Sequence, residues 1–179
     1  MKALEPHPNL TESAPGSGGL CGGSFLNRAF EAWLDQRFHD DAQLTAELRL
    51  HILERFEVDI KKRFNGSARE PYTIMTRGFP DDYSRGVQDG RLTIPTSHLK
   101  AIFREVTDKI VHLVLAQINA TEPRVKSVLL AGGFGQSEYV RLELEKAIRR
   151  NVPGTTVSMI MNRSVLTFGV ASRVLSAPS

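Results

Sequence analysis

The fold is decided by the stretch Ser127-Val-Leu-Leu-Ala-Gly-Gly-Phe-Gly-Gln-Ser137, in which a short apolar run ends in glycines and a serine. The apolar run predicts a strand, and Ser137 predicts the cap of an amphipathic helix. Pro153-Gly154 would end that helix, and residues 156–161 predict a second strand. Strand, glycine turn, helix and strand in this order form a βαβ unit. Such a unit implies a partly parallel sheet covered by helices, and it places the chain in the α/β class.

Two helices are predicted upstream of this unit. Apolar residues recur at helical spacing over residues 24–38, where Ser24 is the expected N-cap. A second helix has an apolar residue at every fourth position from Leu44 to Phe64 and stops at Asn65-Gly66. A stripe with this spacing drifts slowly around a helix, which is typical of a helix packed across a sheet.

The region between these helices and the βαβ unit is β-like. Strands are predicted over residues 72–76 and 91–94, with a tight turn at Asp89-Gly90. Either Thr96 or Ser97 would cap the long amphipathic helix that follows. The outer part of the fold is therefore expected to be α+β.

Composition excludes several classes of protein. The 179 residues are 41% hydrophobic and 24% charged, as in a globular protein with a real core. The single Cys21 cannot form an internal bridge, which favours a reducing, cytoplasmic location. The net charge of +3 comes from scattered basic residues, so a nucleic-acid partner is not expected. The most apolar stretch, residues 110–118, is too short to span a membrane, and residues 1–18 are expected to be a flexible lead-in.

Two glycine clusters are candidates for ligand contact. Gly132-Gly133-Phe134-Gly135 lies where a strand leads into a helix, a place where glycines let a ligand approach the backbone and the helix N-terminus attracts negative charge. A plain tight turn is the alternative interpretation. Gly22-Gly23 ends a second cluster that starts at Gly16, and a linker is the alternative there.

Read together, three segments resemble the second lobe of the actin/heat-shock-70 ATPase superfamily, in particular the divergent heat-shock-70-like proteins. The segments are residues 19–30, 56–64 and 128–137, and the resemblance covers about residues 18–175. It implies a ribonuclease-H-like, actin-like ATPase lobe with a mixed sheet flanked by helices. It also implies an inner subdomain of residues 19–39 and 97–179 and an outer subdomain of residues 40–96.

The resemblance further implies an adenosine half-site for ATP or ADP. Glycines from both clusters would approach the nucleoside, while charged side chains of the second helix would hold the adenine and ribose. In the last segment, Phe134 and Gln136 stand where the family has Ser and Arg. The implied residues are Gly22, Gly23, Glu57, Lys61, Lys62, Gly132, Gly133, Phe134 and Gln136.

Other family motifs have no counterpart in this chain. None of the eight Asp residues precedes a glycine by two positions, as the family's phosphate motifs require. The first lobe and its catalytic Lys, the catalytic Glu and a magnesium-holding carboxylate are missing as well, so no metal site is expected. The sequence thus predicts a lobe that binds adenine nucleotide without hydrolysing it alone, and a free-standing ATPase is a third, weaker hypothesis.

The main alternative is a vestigial or protein-interaction module that keeps the fold and binds no nucleotide. In an intact two-lobe protein, the first lobe would cover the face that bears the glycines. That face is therefore expected to take a protein partner or a second copy of the chain.

Overall fold

The structure is a computed structural model that describes residues 15, 22–39, 41–67, 71–122, 124–130, 135 and 137–159. The predicted lead-in lies outside these residues, apart from Pro15. The elements in chain order are α1 (Gly23–Arg37), α2 (Ala46–Arg55), a π-helical segment (Phe56–Ile60), α3 (Lys61–Arg63), β1 (Tyr72–Met75), β2 (Val87–Gln88), β3 (Arg91–Ile94), α4 (Thr96–Asn119), β4 (Ser127–Leu130), α5 (Glu138–Asn151) and β5 (Thr156–Met159).

The described strands form two sheets, one antiparallel and one parallel. The antiparallel sheet has the order β1-β3-β2, with Tyr72 opposite Ile94 and Val87 opposite Leu92. In the other sheet, β4 and β5 run parallel and are joined through α5, as the βαβ pattern predicts. The chain is thus of mixed α/β class. The strands of the expected outer α+β part and the strands of the βαβ unit lie in separate sheets, and each sheet packs into a different hydrophobic cluster.

Turn chemistry explains the ends of the antiparallel sheet. Asp89 and Gly90 have φ angles of 50° and 66°, the left-handed pair of a tight hairpin between β2 and β3. The predicted turn is therefore confirmed. Pro95 ends β3, and Gly66 ends the preceding helix with a φ of +80°, also as predicted.

A π-helical segment keeps the stripe of the second helix on one side. Four residues of an α-helix rotate about 40° past a full turn, so a stripe repeated every fourth residue would leave the buried face. The wider turn at Phe56–Ile60 offsets this rotation. Ile52, Phe56, Ile60 and Phe64 are consequently all buried.

Most of the buried apolar residues belong to an aromatic cluster. It gathers side chains from α1, α2, the π-helical segment, the antiparallel sheet, the first half of α4 and the start of α5. Its centre is a chain of ring contacts in which Phe56 stacks on Phe30 with ring centroids 3.9 Å apart. The rings in contact there also include Phe64, Phe103 and Tyr139.

A smaller aliphatic cluster lies around the second half of α4. It joins α4 to β4 and α5, and its buried residues are Val114, Ile118, Val125, Val128, Leu130, Leu144 and Ile148. Ile110 packs against both clusters. The long helix α4 and the helix α5 thus both connect the two parts of the fold. Among the described helices, none is long and apolar enough to cross a membrane.

Two predicted caps are wrong. Ser24 lies inside α1, whose N-cap is the extended residue Gly22, because the glycine pair lets the helix start earlier than expected. Thr96 is the first residue of α4, and Pro95 takes the N-cap position with no side-chain hydrogen bond. Ser137, in contrast, caps α5 as predicted and accepts from the backbone N–H of Val140 at 3.5 Å.

The subdomain division stays a prediction, although one observation bears on its boundary. The buried residues of α1, Leu26, Phe30 and Leu34, belong to the same aromatic cluster as α2 and the antiparallel sheet. A boundary between residues 39 and 40 therefore runs through one continuous core.

Candidate functional site

The first predicted segment lies at the N-terminus of α1. Gly22 is the N-cap, and its carbonyl accepts from the backbone N–H of Phe25 at 3.0 Å. Because glycine offers no side chain, α1 begins without a side-chain cap. Gly22 and Gly23 are both half-buried, so this glycine pair keeps part of its backbone open to solvent.

The second predicted segment is the π-helical turn and the residues that follow it. Glu57 lies within the π-helical segment, and its side chain is 55% exposed. Lys61 follows the segment, with a side chain only 12% exposed. Lys62 is exposed, and its ammonium group has no hydrogen bond or ion pair with the described residues.

Lys61 joins these two segments. Its ammonium group donates to the carbonyl of Gly23 at 3.0 Å and to Oδ1 of Asn27 at 2.9 Å. It also lies 3.5 Å from the carboxylate of Glu57. The start of α1 and the π-helical segment, which are distant in sequence, are therefore held together by one half-buried cation.

Asn27 completes this cluster and was missed by the sequence analysis. Its Oδ1 accepts from Lys61, while its side chain also hydrogen-bonds the carboxylate of Glu57. This hydrogen bond is the main reason that the pKa of Glu57 is lowered, so the carboxylate is ionised at neutral pH. Burial lowers the pKa of Lys61, and this effect outweighs the attraction of Glu57.

The third predicted segment lies largely outside the described residues. Gly132, Gly133, Phe134 and Gln136 are all in that part of the chain. The described neighbour Gly135 lies close to the end of β4, because a Cβ built there would lie 3.2 Å from the carbonyl carbon of Leu130. A residue larger than glycine would be crowded at this position.

The described part of the site has side chains that can bind polar groups, but it contains no group of residues arranged to hold a catalytic metal ion. Glu57 is an exposed carboxylate that can accept hydrogen bonds from hydroxyl groups, and Lys62 is an exposed cation. Within the described ranges, no group of three or more His, Cys, Asp or Glu residues could hold a metal ion.

Comparison with known proteins adds no relative. No protein-family model, no curated protein and no solved structure matches this chain. The functional argument therefore depends on the residues and their geometry.

Proposed function

We propose that the chain is an adenine-nucleotide-binding lobe of the actin-like, heat-shock-70-like kind that does not hydrolyse ATP on its own. One observation carries the proposal: Lys61 lies 3.0 Å from the carbonyl of Gly23. This contact brings two of the three segments implied by the sequence resemblance to one place. In the sequence, the third segment lies between β4 and α5, and a helix N-terminus favours ligands with polar or negative groups.

Within this proposal, the charged residues of the second segment have different roles. The exposed carboxylate of Glu57 would accept hydrogen bonds from the ribose hydroxyls. The exposed ammonium of Lys62 would approach the adenine or the ribose. Lys61 has three acceptors already, so it would hold Glu57 and the glycine pair in position rather than contact the ligand.

Binding is tested by melting curves and calorimetry with adenosine, ADP, ATP and GTP, each with and without Mg²⁺. Adenosine and ADP should bind weakly and about equally, and Mg²⁺ should change nothing. A ligand that binds only the folded state adds about 2.7 kcal/mol of stability at a hundredfold excess over Kd. No response to any nucleotide would favour the protein-interaction module instead. Tight, Mg²⁺-dependent binding of ATP would contradict the prediction that the chain lacks a phosphate site.

Two variants assign the response to the site. Glu57→Gln keeps the size of the side chain but removes the charge that accepts from the ribose, so the adenosine-induced shift should shrink. Glu105→Gln is the matched control, because Glu105 is a similarly exposed glutamate on α4, away from both segments. Equal responses of the two variants would contradict the role of Glu57.

The absence of hydrolysis has its own test. Purified protein with Mg²⁺ and ATP should show no turnover above background. A rate near about 1 s⁻¹, the low end for ordinary enzymes, would contradict the proposal. A cytoplasmic location, and a protein partner on the face that bears the glycines, belong to the same proposal.

A further inference from the structure

A groove between α1 and α2 shares Glu57 with the proposed nucleoside site but has a different chemistry. Its volume is about 510 Å³. Its floor and mouth are apolar, and its rim carries carboxylates. The residues that matter are the apolar Leu50, Leu53 and Phe56 and the acidic Glu31, Glu54 and Glu57.

The apolar part of the groove is continuous from core to solvent. Phe56, 1% exposed, belongs to the aromatic cluster, and Leu53 is half-buried against that cluster. Leu50 is 67% exposed, so most of this leucine is in contact with water at the groove. A single exposed leucine is common on protein surfaces. Leu50, however, continues the apolar lining formed by Leu53 and Phe56, and the three side chains together form a pocket for one apolar side chain.

The rim is acidic on a chain whose net charge is +3. Arg49 lies 2.8 Å from Glu31 and 2.7 Å from Asp35, and Lys61 pairs with Glu57. Glu54 has no ion pair with the described residues. All three charged side chains that line the groove are therefore carboxylates, and two of them, Glu31 and Glu57, are paired with neighbouring cations.

We infer that this groove binds a basic amphipathic segment of a partner protein. An aliphatic or aromatic side chain of that segment would enter beside Leu50, and flanking Lys or Arg residues would pair with Glu54 and Glu31. Such a mode follows the pattern of an apolar anchor in a pocket with complementary charges at the rim. A two-fold axis through the groove would bring the two acidic rims together, which disfavours a second copy in that arrangement.

The inference does not depend on the proposed nucleotide function, and its test contains no nucleotide. The probe is a short fluorescein-labelled helical peptide of leucine and lysine, and the control peptide has glutamate in place of lysine. Fluorescence anisotropy with the full chain should show binding of the lysine peptide, weakened by added salt, and no binding of the glutamate peptide. Absence of binding, or equal binding of both peptides, would overturn the inference.

A pair of double variants locates the binding. Leu50→Ser with Glu54→Lys removes the apolar mouth and reverses the unpaired charge, and Kd should rise by about tenfold or more. Tyr83→Ser with Glu105→Lys makes the same kinds of change at side chains that are 72% and 67% exposed and do not line the groove. This control should retain the affinity of the parent chain, and melting curves verify that both variants fold.

Two results would overturn the assignment to the groove. One is an equal loss of affinity in the two double variants. The other is a dimer, seen by analytical ultracentrifugation, that the groove variant dissociates, because the occupant would then be a second copy of the chain.

Discussion

The aromatic and aliphatic clusters share α4 but are built differently. The aromatic cluster has stacked and edge-on rings, and its sheet is antiparallel, with β3 between β1 and β2. The aliphatic cluster contains no ring among its described buried residues and supports a sheet of two parallel strands. Two strands alone are marginally stable in water. In the described part of the chain, the second region is joined to the first through α4 and α5, whose starts pack in the aromatic cluster.

The largest expected effect is on the aromatic cluster. Phe56→Ala removes a ring that stacks on Phe30 at 3.9 Å and also contacts Phe103. The free energy of unfolding should fall by about 4 kcal/mol, and both regions should unfold together because α4 loses its support. Urea denaturation measures the loss. Val58→Ala, two residues away and 45% exposed, is the control and should change stability by less than about 0.5 kcal/mol.

A matching cavity in the aliphatic cluster should act locally. Leu144→Ala removes a fully buried side chain of α5 and should cost about 3 kcal/mol. Hydrogen exchange should then accelerate in β4, β5 and the second half of α5, while the near-ultraviolet dichroism of the aromatic cluster persists. Equal acceleration in the antiparallel sheet would show that the two clusters are one cooperative unit.

Alanine substitutions at Gly86 and Gly78 test how closely the backbone packs beside the antiparallel sheet. Gly86 and Gly78 have φ angles of +79° and +83°, so alanine is strained at both. Only at Gly86 would a Cβ also meet backbone, 2.9 Å from the carbonyl oxygen of Thr93. Gly86→Ala should cost about 2–3 kcal/mol and Gly78→Ala about 1 kcal/mol, as measured by denaturation. Equal losses of stability in the two variants would mean that the backbone near Thr93 can shift to make room for the new Cβ.

The smallest expected effect is a pH dependence at the edge of the aromatic cluster. Asp82 accepts from Ser84 Oγ at 2.6 Å and from both the backbone N–H and the guanidinium of Arg85. These hydrogen bonds lower the pKa of Asp82 from 3.8 to about 2. The stability they contribute is complete above pH 4 and is lost as the pH falls towards 2.

A substitution of Asp82 tests this pH dependence through the melting temperature. Asp82→Asn should flatten the acid limb of the melting temperature between about pH 4 and 2, since the variant has no carboxyl group to titrate there. Asp81→Asn, an exposed neighbour, is the control. An unchanged acid limb in Asp82→Asn would contradict the role of these hydrogen bonds.

Local signals predicted most of the elements of both regions. Residues 91–94 form a strand as expected, because a turn pair precedes them and Pro95 follows. The βαβ unit was readable because its glycines and Ser137 mark where the strand becomes a helix. The two-residue strand β2 was missed because two residues show no alternation.

The candidate site was only partly readable from the sequence. The π-helical segment escaped prediction because its residues keep the same apolar spacing as the α-helix around them. Asn27 escaped because its partner Lys61 is 34 positions away, and an asparagine on a helix usually faces solvent. Such long-range polar contacts leave no mark in local periodicity.

The division of α4 between the clusters also has a consequence for synthesis on the ribosome. The chain is synthesised from its N-terminus, so by the end of α4 the described residues of the aromatic cluster are all present except Tyr139 and Val140. Val114 and Ile118 remain unpacked until β4 and α5, which provide their buried neighbours, have been synthesised. The nascent chain thus exposes an apolar helical face during this interval, the kind of surface that molecular chaperones shield from aggregation.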